Sequence, residues 1–144
     1  MPAWGRIDGP RIDRWLRPAD VVHATNYLTP PSKLPTMVSV YDCSFVRYPE
    51  LCSPDVRAYV PIVRRAVARG ATVHTTSKFV AGEIEEIFGP GLERDGRLVV
   101  IPLGVPPIGT DAELPPEVEA RLDGAPFVLA IGTIEPRKNL AHLI

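Results

Sequence analysis

The chain has 144 residues, 45% of them hydrophobic, which is enough to build a core and excludes wholesale disorder. Sixteen basic and 17 acidic residues leave a net charge of −1, so the basic footprint of a nucleic-acid-binding domain is absent. No apolar run reaches the ~18 residues of a membrane span, MPAWGRIDGP lacks the apolar stretch of a secretory signal, and Cys43 and Cys52 alone make neither a disulfide framework nor a zinc site.

Residues 1–19 read as irregular, punctuated by Gly5, Gly9, Pro10 and Pro18. Residues 20–25 (DVVHAT) predict a short strand, and Pro30, Pro31 and Pro35 enforce a loop after it. Residues 36–41 (TMVSVY) are rich in β-branched side chains and predict a second strand. Ser53-Pro54 reads as a helix start, and Val56, Tyr59, Val60, Val63 and Val67 form one helical stripe behind it. Pro61 sits inside that helix and predicts a bend; Gly70 is its natural stop. Residues 71–75 predict a third strand. Ser77 can cap a second helix over 78–88, closed by Gly89-Pro90-Gly91, and residues 97–101 predict a fourth strand.

From residue 102 the prolines thicken, and 105–125 reads as a semi-rigid linker with a short helix over 117–122. Residues 127–131 (FVLAI) predict a fifth strand, 132–137 a turn, and 138–144 the opening of another helix. Strands alternating with helices imply parallel pairing in a doubly wound α/β sheet, and runs such as LVVI and FVLAI suit burial on both faces. The division expected is 1–104, 105–125 and 126–144. One strand and seven helical residues past the linker could not bury their own apolar faces, so the expectation is a fragment of a larger molecule.

Five ordered pieces carry a resemblance: DVVHATN (20–26), VSVYD (38–42), VHTTSKF (73–79), VIPLGV (100–105) and IGTIEPRKNL (131–140). In order and spacing they resemble the group 1, or family 4, retaining glycosyltransferases of the two-domain GT-B fold, over roughly residues 20–144. The resemblance implies an α/β, Rossmann-like parallel sheet with flanking helices: late N-terminal domain, hinge, and the start of a C-terminal donor domain. It further implies transfer of a sugar, with retention, from a nucleotide-diphosphate donor to a glycan or lipid-linked acceptor. No cofactor and no metal are expected, and the compartment implied is the cytoplasm or the inner face of its membrane.

Within IGTIEPRKNL, Gly132, Thr133, Arg137 and Lys138 are the donor-diphosphate candidates. Arg137 can grip two phosphate oxygens with a planar fork, Lys138 adds a point charge, and the start of a helix attracts anions. Positive groups there would stabilise charge that grows as the glycosidic bond breaks. Thr133 stands where the family often has arginine. Tyr41 and Asp42 are the catalytic candidates, with Tyr41 replacing the family's histidine; tyrosine keeps a hydrogen-bonding hydroxyl but not imidazole's proton chemistry. Asn26 and Ser77, at strand ends, are the acceptor-side candidates. The family's glycine-rich loop has no counterpart before residue 20, and its acidic E-x7-E would lie beyond residue 144. The pair Glu85 and Glu93 has that spacing but in the wrong domain, and reads as coincidence.

His23 reads as a packing or loop residue and His74 as a buried structural one, and the three scattered histidines have no metal-ligand spacing. Cys43 reads as packing. Arg57, Arg64, Arg65 and Arg69 lie opposite the apolar stripe of their helix, as a solvated face or a peripheral contact with anionic lipid. The chain alone is expected to lack transferase activity; the alternatives are a non-catalytic interaction module and a small nucleotide-diphosphate-binding domain.

Overall fold

Four of the five expected strands form, and they pair in chain order into one parallel sheet: β1 (Val22–Ala24), β2 (Thr36–Ser39), β3 (Thr72–Thr75) and β4 (Leu98–Val100). The computed structural model describes residues 4, 6–107, 109 and 113–143, and divides into one unit up to Leu103 and another from Gly104 onward. The first unit is an α/β fold of Rossmann-like kind, with helices α1 (Ser44–Arg47), α2 (Pro54–Arg57), α3 (Tyr59–Ala68) and α4 (Lys78–Phe88).

The pairing register sorts the strand residues by face. Ala24, Val38, Val73 and Leu98 are aligned across the sheet and buried. They share one core cluster with Val63, Ala66 and Val67 of α3 and with Val80, Ala81, Ile84 and Phe88 of α4. Both long helices therefore cover the same face, as right-handed crossovers between strands laid down in chain order require. The next row, a residue away along each strand, points the other way. Ser39, His74 and Val99 align there one step beyond the core row, and His23, which aligns with Met37 one step before it, shares their face; His23 and Val99 are exposed. Burial on both faces is met at β2, where Val38 and Ser39 are both fully buried, and is corrected at β1 and β4, where His23 and Val99 are exposed.

The expected helix over 54–69 forms as two pieces, α2 and α3, parted at Ala58. Pro61 lacks the N–H that would bond the Arg57 carbonyl four residues back, and its ring crowds that carbonyl. The break falls in the turn before Pro61 for that reason. Ser53 caps α2 through Val56 N–H, and Ser77 caps α4 through Val80 N–H at 3.2 Å. The Glu85–Glu93 spacing has a local cause: the Glu85 carboxylate accepts the backbone N–H groups of Gly91 and Glu93, each at 2.5 Å, and closes the turn after α4.

The second unit holds α5 (Pro116–Leu122), which the sequence anticipated, ending in a left-handed Asp123. The expected strand over 127–131 and helix over 138–144 do not form among the described residues. Residues 127–131 have no neighbouring strand to pair with, and Val128 and Ile131 are 86% and 88% exposed. Two 3-10 turns, Pro136–Lys138 and Leu140–His142, take the place of the helix, separated by Asn139 at φ 49°. Seven residues with no surface to pack on do not offset the cost of nucleating an α-helix. No described helix is long and apolar enough to cross a membrane.

Two carboxylates tie the N-terminal segment to the first unit. Asp8 bridges Arg65 and Arg69 at 3.1 and 3.0 Å, which neutralises part of the basic face of α3. Asp13 accepts the Ser32 hydroxyl at 2.6 Å and the Lys33 backbone N–H at 2.8 Å. At Asp8 burial pulls the carboxyl upward, but hydrogen bonds from Arg65 and Arg69 and their charges hold it below its ordinary value. At Asp13 the Ser32 hydrogen bond, then that of Lys33, does the same. A depressed folded value means stabilisation present above the unfolded value of about 4 and lost as pH falls through the folded one. Acidification below about pH 4 is therefore expected to release residues 6–16 before the sheet melts. Amide NMR spectra recorded along the titration check this: simultaneous loss of the segment and of β2 and β3 would contradict it, and Asp8→Asn should loosen the segment at neutral pH.

Candidate functional site

Because all four strands run the same way, the residues that follow them emerge at one end of the sheet. In open α/β sheets that end is where ligands bind. Three of the acceptor-side and catalytic candidates, Asn26, Tyr41 and Asp42, stand there after β1 and β2, and Ser77 follows β3.

Their local chemistry differs. Asn26 is exposed, and its carbonyl accepts Leu28 N–H in a tight turn around Tyr27, which adopts φ 52°. Tyr41 is 37% exposed, with its ring edge-on to Tyr27 and to His74 at 6.3 and 6.4 Å between centroids. Asp42 uses one carboxylate oxygen, Oδ1, to accept Ser44 N–H at 2.9 Å and the Ser44 hydroxyl at 2.6 Å, which fixes the start of α1. Ser77 is occupied as the cap of α4. Two of the four candidates thus already hold a helix in place.

Tyr27, which sequence reasoning passed over, organises this end. Its hydroxyl oxygen accepts the backbone N–H groups of Tyr41 and Asp42 at 3.3 and 3.1 Å, and its ring stacks on Tyr59 with centroids 5.0 Å apart. Burial, then the Asp42 charge, pushes its phenol up to about 12. Cys43, next in the chain, is fully buried in the core cluster, and burial pushes its thiol up to about 12.

On the face turned away from α3 and α4 lies a row that sequence reasoning also missed. His23 Nε2 and His74 Nδ1 both lie 2.9 Å from Ser39 Oγ, and His74 Nε2 lies 3.3 Å from the Ile101 carbonyl oxygen. His23 stands in the middle of β1 and is exposed, not in a loop; His74 is half-buried rather than buried. Ser39 is fully buried, so no substrate carbonyl or phosphorus can reach its oxygen, and the row is not a nucleophile with its base. The readable signal was a polar residue directly after a valine in each of three consecutive strands, V-H, V-S and V-H.

A groove of about 530 Å³ runs beside β1, lined by His23 and Asn26 together with Ile12, Leu16 and Leu28. A smaller hollow of about 290 Å³ lies at the opposite end of the sheet, between Lys33 and Arg69. Arg69 is already paired with Asp8 there. Among the described residues no three His, Cys, Asp or Glu side chains stand close enough to hold a metal ion.

In the second unit the donor-side candidates cluster in one turn. Gly132 has φ 155°, and a Cβ at that position would stand 4.0 Å from Lys138 Cε, so the lysine stem lies against the glycine backbone. Arg137 Nη2 pairs with Glu135 Oε1 at 2.8 Å. Thr133 follows Gly132 and is exposed. The helix start expected to aid anion binding is replaced by a single 3-10 turn, so any anion here would rely on side chains. Comparisons with protein-family models, with curated proteins and with solved structures find no match for this chain.

Proposed function

We propose that the chain belongs to a retaining glycosyltransferase that moves a sugar from a nucleotide-diphosphate donor to a glycan or lipid-linked acceptor, working in the cytoplasm or at the inner membrane face. The observation that carries this reading is the gathering of Asn26, Tyr41 and Asp42 at the carboxyl end of a parallel sheet, where an acceptor would bind. The acceptor would lie on the first unit, and the donor diphosphate on Gly132, Thr133, Arg137 and Lys138 of the second. Lys138 and Arg137 would offset charge that grows on the leaving diphosphate, which favours the transition state over the ground state. Tyr41 would supply a hydroxyl to the sugar site, and Asp42 would act through its hold on the loop.

A second reading has specific support. The Asp42 carboxylate is engaged by Ser44 at the start of α1, as expected of a small nucleotide-diphosphate-binding domain that does not transfer sugar. Either reading needs the diphosphate contact. Calorimetric titration of the full chain with UDP and with GDP is expected to show binding of one of them, weakened about tenfold or more by Lys138→Ala, since a phosphate–ammonium contact contributes on the order of 1.5–3 kcal/mol. No binding of either nucleotide, or unchanged binding by Lys138→Ala, would overturn the donor assignment. Transfer to an added acceptor would separate the enzyme from the module.

A further inference from the structure

The hydrogens of the His23–Ser39–His74 row follow from its geometry. The Ile101 carbonyl can only accept, so His74 Nε2 carries a hydrogen and donates it. In the neutral ring His74 Nδ1 is then an acceptor, and it takes the Ser39 hydroxyl hydrogen. Ser39 Oγ is left to accept, so His23 Nε2 carries the next hydrogen and donates it to Ser39. The end of this chain is His23 Nδ1, bare of hydrogen, on an exposed ring that lines the groove beside β1. Among the described residues it has no hydrogen-bond partner.

The groove itself narrows the ligand class. Its walls carry apolar side chains, Ile12, Leu16, Leu28 and Pro30, and the polar groups of His23, Asn26 and Thr25. No Lys, Arg, Asp or Glu lines it, so a phosphate, a carboxylate or an ammonium would be desolvated there without a partner. A neutral ligand with an apolar face and several hydroxyls fits: its C–H surface meets the aliphatic wall while its hydroxyls donate to His23 Nδ1 and exchange hydrogen bonds with Asn26. The volume, about 530 Å³, is within the usual range for a small-molecule site.

We infer that the groove along β1 is a carbohydrate subsite in which His23 Nδ1 accepts a ligand hydroxyl, its tautomer fixed by Ser39 and His74. His23 is the binding residue; Ser39 and His74 are positioning residues that act through it. The identification of the ligand as a carbohydrate rests on the acceptor-side reading above, whereas the tautomer order stands on the hydrogen-bond distances between neutral rings.

Imidazole 15N NMR of the full chain tests both parts, with methyl α-D-mannopyranoside and methyl α-D-glucopyranoside as probes and UDP as a charged control. The expected spectrum shows both His23 and His74 as single Nε2–H tautomers, with the His23 Nδ1 resonance moving as glycoside is added and staying put with UDP. Ser39→Ala is expected to mix the His23 tautomers and weaken glycoside binding about tenfold, the effect of losing one charge-free hydrogen-bond constraint. His23→Ala, at an exposed position, should abolish glycoside binding with the fold intact, which keeps the test decisive should Ser39→Ala not fold. A mixed or Nδ1–H tautomer at His23 in the unaltered chain, an unmoved His23 resonance, or undiminished binding by His23→Ala would overturn the inference. Nucleotide binding at Lys138 is read separately, so loss of the donor assignment leaves the glycoside result standing, and the reverse.

Discussion

Phe45→Ala is expected to lower stability by about 3–5 kcal/mol, the usual cost of emptying a buried phenyl site, and so to remove a large share of a typical 5–15 kcal/mol. Phe45 lies on α1 with 2% of its surface exposed. Its ring meets Tyr27 edge-on at 5.2 Å, Tyr59 at 6.2 Å and Phe88 of α4 at 6.3 Å. It therefore joins the loop after β1, the α1–α3 layer and α4 in one cluster. These neighbours belong to different elements anchored by backbone pairing, so collapse into the void is limited and the upper part of the range applies. The Arg47 contacts to Glu83 and Glu86 also link α1 to α4. The Glu86 contact is solvent-facing and contributes little by comparison, whereas the Glu83 carboxylate is only 16% exposed. Urea unfolding followed by circular dichroism checks the figure: a fall in the midpoint with unchanged slope is expected. A loss under 1 kcal/mol would mean that the aromatic cluster does not hold these layers together.

The fold was legible where local chemistry and global topology agree. The stretch of strand, capped helix and strand from Thr72 to Val100 matches its reading nearly residue for residue, because Ser77 caps, Gly89 to Gly91 stop, and Ile84 and Phe88 find the core face. α1 went unread: four residues are too few for periodicity, and its start depends on Asp42 bonding Ser44, a contact a helix template does not score. The strand over 127–131 failed for the opposite reason. Its composition favours β structure, but a strand exists only with a neighbour, and among the described residues none pairs with it.

The site was half legible for a related reason. Strand ends are visible in a sequence, so Asn26, Tyr41, Asp42 and Ser77 could be placed at one end of the sheet. The row of His23, Ser39 and His74 could not, because it depends on register. Ser39 faces His23 and His74 only when Val38 pairs with Ala24 and Val73. A slip of one residue would turn Ser39 toward the helices, and the valines that anchor the register are what present the polar row.

Tyr27→Phe isolates the other organising contact. The substitution keeps the ring that stacks on Tyr59 and removes only the oxygen that accepts Tyr41 and Asp42 N–H. Two amide donors in a partly buried turn then lose their partner at once. Leaving a buried donor unsatisfied costs about 1–3 kcal/mol, and partial access of water to these two keeps the sum within that range. The loss should be local before it is global. Hydrogen exchange at the amides of Tyr41 and Asp42 is expected to rise well above that at Val38 and Val73, which the core row protects. The freed loop carries Asp42, so the start of α1 should fray with it, whereas His23, Ser39 and His74 keep their hydrogen bonds because β2 and β3 hold them. Uniform acceleration across the sheet would show that the Tyr27 hydroxyl supports the whole unit; no change at residues 41 and 42 would show that water already satisfies those amides and that the turn is held by the aromatic stack alone.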